Sequence, residues 1–176
     1  MSAISGRQIT LVLGGARSGK SRYAEALVSA FPPPWMYLAT GEPLDDEMAA
    51  RIAAHRARRG ADWRTIEAPR ELAAAIAGAP AGGAVLVDCL TLWLSNLMLA
   101  DADIGAETHR LDAALAHAAG PLVLVSNEVG LGIVPDNTLA RRFRDAQGVL
   151  NQCVAARADR VVLMVAGLPL VVKGEP

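Results

Sequence analysis

Short apolar segments alternate along the chain with longer segments in which apolar residues recur every three or four positions. Continuous apolar runs are typical of strands that are buried on both faces of a parallel sheet. The spacing of three to four is typical of helices that bury one face. The pattern predicts strands over residues 9–13, 35–39, 63–67, 84–88, 121–125, 160–165 and 170–173.

The predicted helices lie between these strands and are bounded by residues that start or stop helices. Prolines at 32–34 end the first helix, because proline lacks a backbone donor. Asp45 or Asp46 caps the second helix. Helices are predicted over residues 21–30, 45–59, 70–77, 90–99, 107–119 and 137–157, with a loop at 101–105. The alternation predicts an α/β fold, a mostly parallel sheet with helices on both faces.

Composition narrows the prediction to a single domain over residues 1–176. Hydrophobic residues make up 52% of the chain, and the net charge is −1, so we expect a sizeable core and no nucleic-acid partner. Polar residues interrupt the apolar run 84–100, and residues 1–8 do not resemble a signal peptide, so we expect no membrane insertion. Cys89 and Cys153 lack metal-type spacing and predict buried thiols in a reducing, cytoplasmic setting.

A glycine-rich segment follows the first predicted strand and opens the first predicted helix. In this context the pattern Gly-x-x-x-x-Gly-Lys-Ser predicts a phosphate-binding loop of the P-loop NTPase-like (RecA-like) kind. We expect Lys20 to reach the β- and γ-phosphates of a nucleoside triphosphate and Ser21 to bind Mg²⁺. The alternative is a glycine-rich turn without a ligand. The segment consists of Gly14, Gly15, Ala16, Arg17, Ser18, Gly19, Lys20 and Ser21.

Asp88 ends the clearest of the predicted central strands. A carboxylate at the end of such a strand can hold Mg²⁺, directly or through water, as a Walker B residue does. The alternative is an aspartate that only caps the following helix. The two roles are compatible.

His55 differs from the other two histidines, His109 and His117, which we expect to be solvated on a surface helix. On the predicted helix 45–59, a spacing of four, three and four places Met48, Ile52, His55 and Arg59 on one stripe. Nearby arginines at 51, 58 and 59 disfavour the charged imidazolium and leave a neutral, nucleophilic ring. The alternative is a histidine on a solvated basic face.

Several segments together resemble a known family. They are the Gly-Gly-Ala-Arg-Ser-Gly-Lys-Ser loop, Ala39-Thr40, the run from Asp45 to Arg56 that contains His55, Trp63-Arg64-Thr65, and the block from Ser126 to Pro135. This combination resembles the bifunctional adenosylcobinamide kinase and adenosylcobinamide-phosphate guanylyltransferase of cobalamin biosynthesis, over nearly the whole chain.

The resemblance implies two linked reactions. ATP or GTP first phosphorylates the aminopropanol hydroxyl of adenosylcobinamide, a corrinoid. GTP then loses pyrophosphate as GMP passes to a histidine, and the adduct delivers GMP to adenosylcobinamide phosphate. His55 is the residue at the position of the family's histidine. The family is also homotrimeric.

Further site residues are expected around these groups. Gly41, Glu42 and Pro43 follow the second strand, where α/β sheets bind ligands. Arg56, Ala57, Arg58 and Arg59 follow the histidine and are expected near the nucleotide. Glu67 is expected to pair with the guanine N1–H and 2-amino group, with an ordinary exposed glutamate as the alternative. Glu128, in the block 126–135, is a possible catalytic or metal-linked carboxylate, although that block can also be a plain loop.

Two other functions remain open at this stage. One is a P-loop kinase of another small molecule, in which His55 is structural. The other is a nucleotide-dependent switch or ATPase, for which the chain shows no recognition domain. The sequence decides neither the preferred nucleotide of the kinase step nor how His55 reaches the α-phosphate.

Overall fold

The structure, a computed structural model, describes residues 7–43 and 45–175, with the side chains of Glu47, Arg51 and Arg58 outside that description. Its strands are β1 (Ile9–Gly14), β2 (Trp35–Ala39), β3 (Trp63–Glu67), β4 (Val85–Asp88), β5 (Leu122–Asn127), β6 (Arg160–Val165) and β7 (Leu168–Lys173). Its helices are α1 (Lys20–Val28), α2 (Asp46–Arg58), α3 (Leu72–Ala77), α4 (Leu90–Leu99), α5 (Ile104–Ala116) and α6 (Thr138–Arg157).

The strands form one sheet in the order β3-β2-β4-β5-β1-β6-β7. All neighbouring pairs are parallel except β6 and β7, which are antiparallel. A parallel pair needs a crossover connection between its strands, and helices supply the crossovers here. The predicted α/β fold with a mostly parallel sheet is therefore confirmed.

Hydrophobic residues pack in two clusters on opposite faces of the sheet. Successive residues of β1 point to opposite faces, so Leu11 joins one cluster with Trp93 and Leu150, and Val12 joins the other with Val28. Trp93 of α4 is fully buried, and its indole nitrogen donates to the carbonyl oxygen of Arg70. Both faces of the central strands are thus covered, as their continuous apolar runs predict.

Several helix and strand boundaries differ from the sequence-based expectation by one to three residues, and three of them have a clear local cause. The loop predicted at 101–105 is wrong in part, because α5 begins at Ile104, where the Asp103 side chain accepts a hydrogen bond from the Ala106 amide and caps the helix. β5 continues to Asn127 because β1 runs beside it as far as Gly14. β7 begins at Leu168 because Ala166 and Gly167, both with positive φ, turn the chain back tightly.

Leu124 lies in the middle of β5 and is fully buried, which allows a test of the core. We expect Leu124→Ala to lower the free energy of unfolding by about 2–5 kcal/mol, because it removes buried methyl groups and leaves a cavity. The measurement is equilibrium unfolding in urea. Val149→Ala on α6, where the valine is 64% exposed, is the control and should change stability by less than about 0.5 kcal/mol. Equal unfolding midpoints for the two variants would contradict this account.

Candidate functional site

Four parallel strands end at the same edge of the sheet and bring the predicted site segments together. Gly14, at the end of β1, is in register with Asn127 at the end of β5. Asp88, at the end of β4, is in register with Ala39 on one side and with Val125 on the other. The carboxyl edge of a parallel sheet is where α/β proteins bind ligands.

The predicted phosphate loop connects β1 to α1, and two of its glycines are required by its shape. Gly14 has a φ of 153°, and a Cβ there would lie 2.7 Å from the carbonyl oxygen of Met164. Gly19 has a φ of 94° and is the N-cap of α1. A side chain is disfavoured at both positions, which leaves backbone donors accessible at a helix N-terminus.

Lys20 is buried at the start of α1, and its ammonium group turns back over the loop. Nζ donates to the carbonyl oxygen of Gly15 and lies 3.5 Å from Oγ of Ser18. A cation held over these backbone groups is placed to contact phosphates bound by the same loop. Ser21 follows in the first turn of α1 and is half-buried.

Asp88 does not cap the helix that follows it, because Cys89 is the N-cap of α4 and no side chain makes a cap hydrogen bond there. The capping alternative is therefore wrong. The Asp88 side chain is 11% exposed, and its Oδ2 accepts a hydrogen bond from the Tyr37 hydroxyl at 3.1 Å. This carboxylate lies at the ligand-binding edge, on the strand that β5 separates from β1.

The donor atoms at this edge fit Mg²⁺. A carboxylate and a serine hydroxyl supply the hard oxygen ligands that Mg²⁺ prefers, and Mg²⁺ usually completes its shell with phosphate and water. Within residues 7–43 and 45–175, no group of three or more His, Cys, Asp or Glu side chains is arranged to hold a metal. Asp88 and Ser21 are the residues that would hold such a metal together with a nucleotide, whose phosphates would supply further oxygen ligands.

The stripe predicted on α2 is confirmed. Met48, Ile52, His55 and Arg59 are partly buried and line one small cavity together with Tyr37, Asp88 and Leu92. His55 itself is 23% exposed, and its Nδ1 lies 4.0 Å from Oδ2 of Asp88. His109 and His117 are exposed, as predicted.

The charges around His55 include a carboxylate that the spacing of the sequence did not indicate. Arg59 stacks on Tyr37, with its guanidinium carbon 3.6 Å from the ring centroid, and Arg56 forms an ion pair with Glu67. The side chains of Arg51 and Arg58 lie outside the described part of the chain. The carboxylate of Asp88 faces the imidazole, and it comes from a strand 33 residues further along the sequence. Spacing along one helix cannot reveal such a partner.

A second cavity of about 680 Å³ lies beside the first and collects most of the other predicted residues. Gly41, Glu42, Pro43, Arg56 and Glu67 line it, with Ala49, Ile52, Ala53 and Pro69. The ion pair between Arg56 and Glu67 holds the Glu67 carboxylate at the wall of this cavity. Of the remaining predictions near the end of α2, the C-cap Arg59 lines the first cavity, and Ala57 is exposed and lines neither.

Asn96 is a site residue that the sequence reasoning missed. It is buried on α4, and its amide nitrogen donates to the carbonyl oxygens of Thr40 at 2.7 Å and Pro69 at 3.0 Å. The Thr40 carbonyl directly precedes Gly41, and the Pro69 carbonyl lies two residues after Glu67. The Asn96 side chain therefore joins two loops that line the large cavity. An asparagine within the apolar run 90–99 was the signal that could have found it.

The block 126–135 divides into a buried and an exposed part. Ser126 donates to Asn151, and Gln147 donates to both, so a buried polar network supports the end of β5. Glu128 accepts a hydrogen bond from the Gly130 amide at 2.6 Å and so shapes its own loop. Beyond it the loop exposes Leu131 and Ile133 almost completely. The Glu128 carboxylate thus makes a structural contact, and the Glu128 backbone amide donates to the carbonyl oxygen of Gly14 in the phosphate loop at 3.0 Å.

Two features define the class of this protein. One is the strand–loop–helix unit with Lys20, and the other is the carboxylate of Asp88 at the end of β4, on the far side of β5 from β1. Together they define a P-loop nucleotide-binding protein of the α/β class. Solved structures share this fold. A structurally studied protein of Pyrococcus horikoshii OT3 has a TM-score of 0.57 at 9% identity, covering 97% of this chain and 89% of its own. An ATPase of a bacterial type III secretion system has a TM-score of 0.55 at 11% identity, covering 93% of this chain and 56% of its own.

Residues 10–172 match the family described as cobinamide kinase / cobinamide phosphate guanyltransferase, and the chain belongs to this family of transferases. The bifunctional adenosylcobalamin biosynthesis protein CobP of Pseudomonas aeruginosa is 52% identical over 169 residues, which cover 94% of this chain and 98% of CobP. The corresponding CobU of Salmonella typhimurium is 45% identical over 93% of this chain and 98% of its own length. The predicted family is thereby confirmed. Among the described helices, none is both long and apolar enough to cross a membrane.

Cys89 borders the small cavity, and its reactivity provides a test of that environment. Burial, reinforced by the neighbouring Asp88 carboxylate, raises the pKa of its thiol to about 11. A raised pKa keeps the thiol protonated until the pH approaches that value, so very little of Cys89 is thiolate at pH 7.5. We expect iodoacetamide to modify Cys89 very slowly at pH 7.5 and faster as the pH rises, as measured by peptide mass spectrometry.

Cys153 is the internal comparison, because it is only partly buried, contrary to the sequence-based expectation. It should be alkylated before Cys89 in the folded protein, and both should react at similar rates in urea. Equal rates at the two thiols in the folded protein would show that Cys89 is not enclosed.

Proposed function

We propose that this protein phosphorylates adenosylcobinamide with ATP or GTP and then transfers GMP from GTP to adenosylcobinamide phosphate through a covalent adduct on His55. The products of the second reaction are adenosylcobinamide-GDP and pyrophosphate. The observation that carries the proposal is the position of His55, on the partly buried face of α2 in a cavity shared with Asp88. Membership of the family supports the two activities.

In the kinase reaction, the phosphate loop binds the nucleoside triphosphate and Lys20 contacts its β- and γ-phosphates. The hydroxyl oxygen of the corrinoid attacks the γ-phosphorus and loses its proton to solvent. The bond from the γ-phosphorus to the bridging oxygen breaks, and the nucleoside diphosphate leaves with its electrons. Ser21 and Asp88 would hold Mg²⁺, which supplies positive charge to the phosphates. The remaining loop residues from Gly14 to Gly19 contribute backbone donors.

In the guanylyl transfer, the nucleotide occupies the large cavity beside α2. Gly41, Glu42 and Pro43 form one wall, and Arg56 and Glu67 form another. A carboxylate such as Glu67 can accept from both the N1–H and the 2-amino group of guanine. A ring nitrogen of His55 attacks the α-phosphorus, which divides one difficult transfer into two easier steps.

The assembly and setting are part of the same proposal. One catalytic domain spans residues 1–176, acts in the cytoplasm without nucleic-acid partners, and forms a homotrimer as the family resemblance implies. Exposed apolar side chains at Leu131, Ile133 and Leu168 offer surface for a subunit contact or for the corrinoid. A kinase of another small molecule with a structural His55 is the competing function, and the covalent adduct distinguishes the two.

GTP labelled with ³²P at the α-phosphate tests the guanylyl transfer. We expect the wild-type protein to acquire a covalent label that is lost in acid and stable in base, as a phosphorus–nitrogen bond is, and His55→Ala to acquire none. His109→Ala, at an exposed position of α5, should be labelled like the wild type. A wild-type protein with kinase activity but no label, or a labelled His55→Ala variant, would refute the assignment.

The two lysines of the chain, Lys20 and Lys173, allow a matched test of the kinase reaction. We expect Lys20→Ala to lower the kinase kcat by about 100-fold or more, because a preorganised cation is lost from the phosphates. Lys173→Ala removes the other ammonium, which donates to the carbonyls of Ala155 and Ala156, and should leave the kcat nearly unchanged. Steady-state phosphorylation of adenosylcobinamide is the assay. Near-normal turnover by Lys20→Ala would overturn the role of this lysine.

A further inference from the structure

The carboxylate of Asp88 interacts with two side chains through one oxygen atom. Oδ2 accepts a hydrogen bond from the Tyr37 hydroxyl at 3.1 Å and lies 4.0 Å from Nδ1 of His55. Tyr37 lies two residues before Ala39, the register partner of Asp88, so it projects from the same face of the sheet as Ala39. The sheet therefore holds this carboxylate and its donor together independently of α2.

The last turn of α2 and its C-cap carry the two residues that complete the group. His55 faces Asp88, and Arg59, the C-cap, places its guanidinium carbon 3.6 Å from the ring centroid of Tyr37. Because Arg59 directly follows the last turn, the two contacts hold the same end of α2. The helix is thus joined to β2 and β4 by two contacts whose sheet partners also contact each other. We call these four side chains, Tyr37, His55, Arg59 and Asp88, the histidine cluster.

Tyr37 is suited to act as a permanent donor within the histidine cluster. It is buried, and its hydroxyl donates to Oδ2 of Asp88 at 3.1 Å. A phenol ordinarily keeps its proton at physiological pH, so the hydroxyl is always available as a donor. Its hydrogen bond then fixes the orientation of the Asp88 carboxylate.

We propose that Asp88 positions His55 for attack on the α-phosphorus and that Tyr37 holds Asp88 in place for this purpose. The inference rests on the proposed guanylyl transfer and adds to the metal-binding role proposed for Asp88. The 4.0 Å separation is longer than a hydrogen bond but short enough for the carboxylate charge to act on the ring. A carboxylate beside Nδ1 favours the tautomer with the proton on Nδ1 and the lone pair on Nε2, across the ring.

The same arrangement balances the charges of the transfer. The lone pair of Nε2 forms the bond to the α-phosphorus, the bond to the bridging oxygen breaks, and pyrophosphate leaves with that electron pair. The ring keeps its Nδ1 proton and gains one positive charge, which the Asp88 carboxylate stabilises. When the phosphate oxygen of adenosylcobinamide phosphate attacks, the nitrogen–phosphorus bond breaks and its electrons return to Nε2.

Tyr37→Phe tests the inference without altering a proposed metal ligand. In single-turnover labelling with GTP, we expect the rate constant of adduct formation to fall about 10-fold, as is typical when a supporting hydrogen bond is lost, while the Kd for GTP stays within about twofold. Tyr23→Phe removes the hydroxyl of the other tyrosine in the chain and should label at the wild-type rate. Thermal unfolding of both variants verifies that they are folded.

The tautomer of His55 gives a readout that a merely structural role would not change. Long-range ¹H–¹⁵N spectra of the protein without nucleotide or metal should show the Nδ1–H form in the wild type, with the His55 signals identified by their loss in His55→Ala. In Asp88→Asn the carboxylate charge is absent and an amide N–H can face Nδ1, so we expect a shift towards the Nε2–H form. The signals of His109 and His117 should not change.

The outcomes separate this inference from the function on which it rests. Absence of any adduct in the wild type refutes the guanylyl transfer itself. If the wild type is labelled, two results refute only the positioning role. One is Tyr37→Phe labelling at the wild-type rate, and the other is an unchanged His55 tautomer in Asp88→Asn. A slow Tyr37→Phe variant in which the loss is entirely in the Kd for GTP also refutes it, because positioning acts on the rate of transfer.

Discussion

The parallel alignment of β1, β2, β4 and β5 is the constraint on which the rest of the molecule depends. Because these strands run in one direction and end in register, the residues that follow them meet at a single edge. The phosphate loop, the loop after β2, Asp88 and the end of β5 are separated by long stretches of sequence but adjacent in space. Helices packed against both faces keep the strands in this register, so the core determines the site.

Asp88 is the residue at which the two proposed chemistries meet. Its strand places it at the nucleotide edge, and its oxygen Oδ2 lies between a tyrosine of β2 and a histidine of α2. A carboxylate that is 11% exposed is costly to bury unless it is hydrogen-bonded or paired, and these contacts offset that cost. One acidic side chain can therefore serve a metal bound with the nucleotide and also the group that attacks the α-phosphorus.

Much of the fold could be predicted from the sequence because its signals are local. Continuous apolar runs gave the strands, and β2, β3, β6 and α4 have the predicted limits. The phosphate loop and the α2 stripe were likewise predictable from spacing. The tertiary contacts of the site could not be predicted, because each of them joins segments that are distant in sequence. They are the approach of Asp88 to His55, the hydrogen bond from Tyr37 and the two hydrogen bonds from Asn96. Boundaries were missed where a side-chain cap or a tight turn decided them, as at Asp103 and Gly167.

The two hydrogen bonds from Asn96 have a mechanical consequence. Two of the segments that line the large cavity, the loop after β2 and the loop after β3, are both tied to a helix whose Trp93 and Leu94 are fully buried. Separating either wall from the helix leaves a buried carbonyl or amide unpaired, at a cost of about 1–3 kcal/mol for each group. The spacing of these two loops is therefore set by the rigid interior, and they move as one unit with α4, while α2 lines another side of the cavity.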